Sequence, residues 1–197
     1  MSGRRAGQRF DADMRVTTEA LVFLGELDPE AIGPSLEFAT HYEPTPVAEA
    51  EALLDASPVR PERASFVDVG AGMGRVVLLA ARRPFRRVVG VEISPALAEI
   101  ARENLSSARD AARRCADVRI AAGDAATFPF PRGDLILFLY NPFSAPVLEK
   151  MLAGLETDER REIVLLYHTA LEHDAIVATG KYDVVADLGF GLVYRRR

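Results

Sequence analysis

Three glycines alternate with other residues directly after a short apolar run that ends in an acid: Ser65-Phe-Val-Asp-Val-Gly-Ala-Gly-Met-Gly74. A second acid, Glu92, ends the next apolar run inside Gly90-Val-Glu-Ile-Ser94. An acid about 20 residues beyond a glycine-rich turn is the layout of a site for a nucleotide-type cofactor. Gly70, Gly72 and Gly74 let the backbone turn sharply and approach a ligand where a β-carbon would collide or require a positive φ. The stretch Arg75 to Ala81 reads as a helix whose first free N–H groups face that ligand.

The charges discriminate between cofactors. A dinucleotide site wants GxGxxG, with a third glycine packing helix on strand, but here the glycines run GxGxG and position 75 is Arg. Asp68, two residues before Gly70, would set a carboxylate beside a pyrophosphate of like charge. S-adenosylmethionine (SAM) carries an ammonium and a sulfonium, so an acid at that place favours it. The absent side chain of Gly72 is expected to leave room for the cofactor itself.

With these residues the chain resembles the class I SAM-dependent methyltransferases. Asp68 to Gly74 is similar to their first motif, and Glu92, followed by Ile93, matches the acid that in this family holds both ribose hydroxyls. Gly123-Asp124-Ala125, ahead of Phe128-Pro129-Phe130, resembles the element in which an Asp faces the adenine amino group. Asp134 to Phe143 resembles the fourth strand and the turn at which the acceptor is methylated. The resemblance covers about residues 65 to 145 and implies SAM as cofactor, with Asp68, Gly70, Gly72, Gly74, Glu92, Ile93, Asp124, Ala125 and Asn141 around it.

The elements that must position these residues alternate as an α/β doubly wound sheet requires. Strands are expected at about 65–69, 88–92, 117–121, 134–140 and 162–167. Their near-continuous apolar character indicates parallel strands covered on both faces. Ser94 reads as an N-cap with Pro95 at the first helical position, followed by Leu97, Ile100, Ala101 and Leu105 at helical spacing. Ser144 opens another helix, with Val147, Leu148, Met151, Leu152 and Leu155 toward the core. Tyr182 to Tyr194 predicts two strands meeting at the turn around Gly189 and Gly191. That hairpin resembles the antiparallel end of the Rossmann-like methyltransferase sheet, which has seven mostly parallel strands.

Residues 1–60 are expected to form a segment covering the pocket, and 61–197 the methyltransferase domain. Residues 1 to about 12 show no apolar periodicity and are expected to be mobile, whereas Thr18 to Leu27 reads as a short helix or strand. Thr45 is the expected N-cap of a helix beginning at Pro46, with Val47, Ala50 and Leu54 on one face. Tyr42-Glu-Pro-Thr-Pro46 also resembles a signature of small prokaryotic protein-lysine methyltransferases, relatives of the histone lysine methyltransferases that lack a SET domain. In those enzymes the segment folds over the SAM pocket.

Tyr140-Asn-Pro-Phe143 supplies the rest of the acceptor site. An Asn carbonyl can accept a hydrogen bond from an amine, and aromatic faces stabilise a methylated cation. Adenine and glutamine methyltransferases carry Asn-Pro-Pro-Tyr here, whereas the non-SET lysine enzymes have an Asn followed closely by Phe. Asn141, Tyr42 and Phe143 are therefore the expected acceptor residues. The reading is N-methylation of a protein lysine; a small-molecule methyltransferase and a SAM-binding regulatory protein without turnover are the alternatives.

Composition bounds the partners. A net charge of −5 gives no general attraction to nucleic acid or an anionic membrane, so neither is expected as a partner. No run of 18 apolar residues occurs, and the basic N-terminus has no apolar stretch behind it, so a cytoplasmic location is expected. The single cysteine, Cys115, suits a reducing compartment. The arginine groups at Arg82, Arg83, Arg86 and Arg87, at Arg113 and Arg114, and at Arg195 to Arg197 read as solvated ends of elements. His41 and His168 could serve as bases, yet methyl transfer to an amine needs only a neutral lone pair and in-line geometry. His168, Glu172 and His173 lack metal-ligand spacing, so no metal is expected.

Overall fold

The computed structural model describes residues 2–20, 42–155 and 161–197. The apolar stretch from Leu21 to Leu27 and His41 lie outside the described residues. In chain order the elements are α1 (Ser2–Met14), α2 (Val47–Asp55), β1 (Ser65–Val69), α3 (Arg75–Ala81), β2 (Arg87–Glu92), α4 (Pro95–Ser107), β3 (Val118–Ala122), β4 (Leu135–Tyr140), α5 (Ala145–Leu155), β5 (Ile163–His168), α6 (His173–Ala178), β6 (Tyr182–Asp187) and β7 (Gly191–Arg196). The strands form one seven-stranded sheet in the order β3-β2-β1-β4-β5-β7-β6. β1 to β5 run parallel, and β7 is antiparallel to both β5 and β6. The strand order reverses at β1, beside β4, so the carboxyl ends of these two strands border the crevice where open α/β sheets bind ligands.

Two apolar layers follow from the period-2 alternation of the strands. Phe66, Ile136, Phe138, Val164 and Leu166 pack with α2 and α3 on one face. Val67, Val69, Leu137, Leu139 and Leu165 pack with α5 and Ile176 on the other. All five α5 residues expected toward the core, Val147, Leu148, Met151, Leu152 and Leu155, are buried. Ser94 caps α4 by accepting the Leu97 N–H at 3.3 Å, with Pro95 at the first helical position. The central strands β1, β4 and β5 are buried except for Tyr140 at the end of β4, but β3 is half-exposed, because it forms one edge of the sheet and is covered less than its neighbours.

The N-terminal readings need correction. Residues 2–14 form a helix, whose inward face is Gly7, Phe10 and Met14, all buried. The spacing is helical, but its stripe is three residues wide and starts with a glycine, so it carries little hydropathic signal. α2 starts one residue later than expected, with Pro46 rather than Thr45 at the N-cap and no side-chain cap bond. On α4, Asn104 is buried where the periodicity favours Leu105. Its amide accepts the Thr17 N–H at 2.9 Å and donates to the carbonyls of Thr17 and Met73 at 2.8 and 2.9 Å.

The first arginine group also departs from a solvated face. Arg82 donates to Asp110 at 2.8 Å, while Arg83 reaches Glu51 and Asp55, each at 2.6 Å. Phe10 lies against the guanidinium groups of Arg75 and Arg82, 5.8 and 5.6 Å from its ring centroid. These arginines fasten the N-terminal helices to α3, because opposite charges and an aromatic face are brought to them by elements distant in sequence.

Candidate active site

The glycine turn leaves β1 with all three glycines in the left-handed region: φ is 77° at Gly70, 52° at Gly72 and 86° at Gly74. A β-carbon on Gly70 would lie 2.6 Å from Pro142 Cβ, so the glycine turn and the turn after β4 touch only because Gly70 has no side chain. Two connected hollows lie at this end of the sheet. One is lined by Asp68, Gly70, Glu92, Ile93, Tyr42 and Tyr140, among others. The second holds Gly123, Asp124, Ala125, Phe143 and Val147, and shares Gly70, Ile93 and Pro142 with the first.

Glu92 ends β2 with its carboxylate buried. Oε2 accepts the Gly72 N–H at 2.7 Å and Oε1 the Ser94 N–H at 2.9 Å, so one acid bridges the glycine turn and the start of α4. Burial pushes its pKa up, opposed by the hydrogen bonds from Ser94, Gly72 and Ile93. Asp68, on β1, is also buried. Desolvation first, and the nearby Glu92 second, raise its pKa to about 8. Two buried carboxylates in one cavity repel each other, and a cationic ligand relieves both terms.

Asp124 lines the second hollow, and its Oδ1 accepts the Ala126 N–H at 2.8 Å. Phe143 lines that same hollow, beside Asp124 and Ala125, and is not among the residues lining the first. Asn141 adopts φ 40°, a left-handed conformation that Asn tolerates better than most residues. Its Oδ1 accepts the Leu171 N–H at 3.3 Å. Thr169 is left-handed as well, with φ 48°. Both residues directly follow the paired ends Tyr140 and His168, so β4 and β5 terminate together in strained turns at the crevice.

Tyr42 folds over the glycine turn, and its hydroxyl donates to the Thr18 carbonyl at 2.7 Å. Burial raises its pKa far above the usual phenol range, with the Arg75 charge opposing the rise. The space over Gly72 is filled by this ring rather than left to a cofactor. His168 is buried behind Tyr140, with ring centroids 4.3 Å apart. Its Nε2 lies 2.6 Å from Glu49 Oε2 and its Nδ1 3.0 Å from Thr169 Oγ1, so both nitrogens are engaged. His173, by contrast, pairs with the Tyr194 hydroxyl at 2.9 Å on α6.

Sequence reasoning passed over Arg75 as a departure from a glycine pattern. It is buried at the start of α3, and its Nε donates to Thr18 Oγ1 at 2.8 Å, Nη1 to the Thr45 carbonyl at 3.2 Å and Nη2 to Glu19 at 2.7 Å. An arginine beside a glycine turn inside an apolar helix was the available signal, since a lone buried guanidinium needs partners.

The sequence profile of a family described as "Methyltransferase domain" matches residues 66–157, from β1 through α5, which includes the lining of the second hollow and all of the first except Tyr42, Glu43, Pro44 and Thr45. The protein is a class I SAM-dependent methyltransferase. An RNA methyltransferase from Salinibacter ruber, solved with S-adenosyl-L-homocysteine, is 25% identical with a TM-score of 0.50, over 78% of this chain and 92% of its own. A predicted N6-adenine-specific DNA methylase from Listeria monocytogenes shares the fold at 15% identity and TM-score 0.60, over 78% of this chain and 51% of its own. The mitomycin 7-O-methyltransferase does so at 17% identity and TM-score 0.56, over 76% and 53%. No curated protein sequence matches the chain.

The residues present fit SAM. Asp68 and Glu92 are buried carboxylates suited to its cationic groups, and the second hollow is an apolar one with Asp124 in its lining. When bound, SAM supplies an electrophilic methyl group on sulfur. Among the described residues no helix is long and apolar enough to cross a membrane.

Proposed function

We propose that the methyltransferase methylates the side-chain nitrogen of a protein lysine. The observation that carries this reading is the pairing of Tyr140 with Glu43, its hydroxyl donating to Oε2 at 3.2 Å on the wall of the cavity that holds Asp68. With the Tyr42 ring on the same cavity, this wall offers an acceptor two aromatic rings and a carboxylate. That combination attracts an ammonium and stabilises a methylated one. The Tyr140 phenol stays protonated, its pKa pushed up to about 12 by burial and then by Glu43.

The acceptor must enter as the free amine. Desolvation in the cavity lowers a lysine pKa, against the pull of the carboxylate on the wall, and the proton leaves to solvent before transfer. Asn141, held in a left-handed turn, aligns the amine. Asp68 and the glycine turn hold the methionine part of the cofactor, Glu92 the ribose, with Ile93 beside it, and Asp124 and Ala125 the base, with Phe143 walling that side. Tyr42 to Thr45, from the N-terminal segment, cover the pocket. As the bond from nitrogen to the methyl carbon forms, the bond to sulfur breaks and S-adenosylhomocysteine leaves.

A second reading, a nucleic-acid acceptor, draws on the likeness to the RNA methyltransferase. The net charge of −5 weighs against it. Incubating a cell lysate with isotopic SAM and the protein separates the two, with mass spectrometry of the protein, nucleic-acid and metabolite fractions. Label on protein lysine is the expected result. Label only on nucleic acid or only on a metabolite overturns the lysine reading and leaves the methyltransferase assignment intact.

A further inference from the structure

The cavity beside Asp68 has a lopsided charge. Among the described residues lining it, Asp68, Glu92 and Glu43 are acids and Arg75 is the only cation. SAM brings an ammonium, a sulfonium and a carboxylate to such a cavity. The first two are drawn by the acids. The carboxylate finds no positive charge among these acids and needs a cationic donor, or it enters unpaired at a large desolvation cost.

Arg75 meets that need on geometric grounds. It begins α3 directly after the glycine turn and Asp68 precedes that turn on β1, so the two residues flank the turn in sequence and line one cavity. Its side chain is 3% exposed and fixed by Thr18, Thr45, Glu19 and, at 3.7 Å, Asp11 rather than free to rotate. A guanidinium carries five N–H donors in a planar fork, suited to receiving a carboxylate in two-point contact.

We propose that Arg75 binds the methionine carboxylate of SAM, in competition with Glu19. This inference rests on the cofactor assignment and is independent of which acceptor is methylated. It gives the N-terminal segment a role in cofactor recognition. Glu19 and Thr18 hold Arg75 in place before binding, Thr18 also accepts the Tyr42 hydroxyl bond through its carbonyl, and a ligand carboxylate at Arg75 reaches the same network.

Calorimetry with SAM and with decarboxylated SAM, which keeps the ammonium, sulfonium and adenosine, tests the proposal without any turnover. The readout is the preference ratio between the two ligands, so a general loosening of the N-terminal segment cancels. The unaltered protein is expected to prefer SAM by about tenfold or more, the scale of a charge-assisted contact. Arg75→Gln is expected to bring the ratio close to one. Glu19→Gln, which removes the nearer of the two carboxylates at Arg75 and leaves Asp11 at 3.7 Å, is expected to raise it. An unaltered ratio in Arg75→Gln, or no preference in the unaltered protein, overturns the proposal. If Arg75→Gln fails to fold, Glu19→Gln decides: a ratio that stays level or falls overturns it. Failure of the unaltered protein to bind either ligand would instead strike at the cofactor assignment itself.

Discussion

The ring of Tyr42 occupies the place of the missing side chain of Gly72: a β-carbon built there would lie 2.1 Å from Cε2 of the tyrosine. A residue upstream of the first helix of the sheet domain thus packs directly on the cofactor turn. This contact, with the bond from the Tyr42 hydroxyl to the Thr18 carbonyl, ties two N-terminal stretches to the same glycine.

Gly72→Ala is therefore expected to destabilise the protein even without cofactor, by about 2 kcal/mol or more, from a strained left-handed alanine and displacement of the tyrosine ring. In a Tyr42→Ala background the same substitution is expected to cost at least about 1 kcal/mol less, because only the backbone strain remains. Thermal melting of the four proteins checks this. Additive losses would show that the ring is not held there.

Tyr42→Phe keeps the ring and loses the bond to Thr18. A loss of about 0.5–1.5 kcal/mol in stability is expected, with SAM affinity nearly unchanged. Denaturant titration and calorimetry on one preparation would separate these effects.

Glu92→Ala is expected to weaken SAM binding by about 1.5–3 kcal/mol, the range for hydrogen bonds to a charged group. It should also lower the melting temperature, because it removes the acceptor of the Gly72 and Ser94 N–H groups. An affinity loss with no effect on melting would mean that those bonds are remade by water.

The raised pKa of Asp68 predicts a pH dependence. The folded protein keeps this carboxyl protonated up to about 8, whereas the unfolded chain releases the proton near the ordinary Asp value of 3.8. Through that window the folded state binds more protons, so stability falls as pH rises. Asp68→Asn is expected to flatten this fall. SAM, being cationic where it meets Asp68, is expected to release a proton on binding at pH 7, visible as a dependence of calorimetric heat on the ionisation enthalpy of the buffer. Heat that is the same in every buffer would contradict this.

Asn141→Gly preserves the left-handed turn while removing the amide, so it isolates the role of the side chain. Turnover is expected to fall by about a hundredfold, with SAM affinity changed much less, since an interaction that aligns the acceptor acts on the transition state. Single-turnover rates and calorimetry check it. Equal losses in both would make Asn141 a cofactor residue only.

What the sequence determined by itself is the sheet domain and its cofactor end. Apolar strand runs, the Ser94-Pro95 helix start and the alternating glycines are local signals, since each depends on residues within one element, and β1, β2, β4, β5, α4 and the apolar face of α5 follow them to within a residue or so. The tertiary structure decided the N-terminal helix and the roles of its partners. Gly7, Phe10 and Met14 make a stripe too narrow to stand out, and α1 is seated by burial of Phe10 and Met14 together with the charge and amide groups that Arg75, Arg82 and Asn104 present to it and to the residues that follow. It likewise decided that Arg75 is a buried cation in an acidic cavity, and that Phe143 lies beside Asp124 rather than beside Tyr42. Such relations join residues tens of positions apart, and no local propensity or spacing encodes them, because the free energy of a buried charge depends on which partners the whole fold brings within reach.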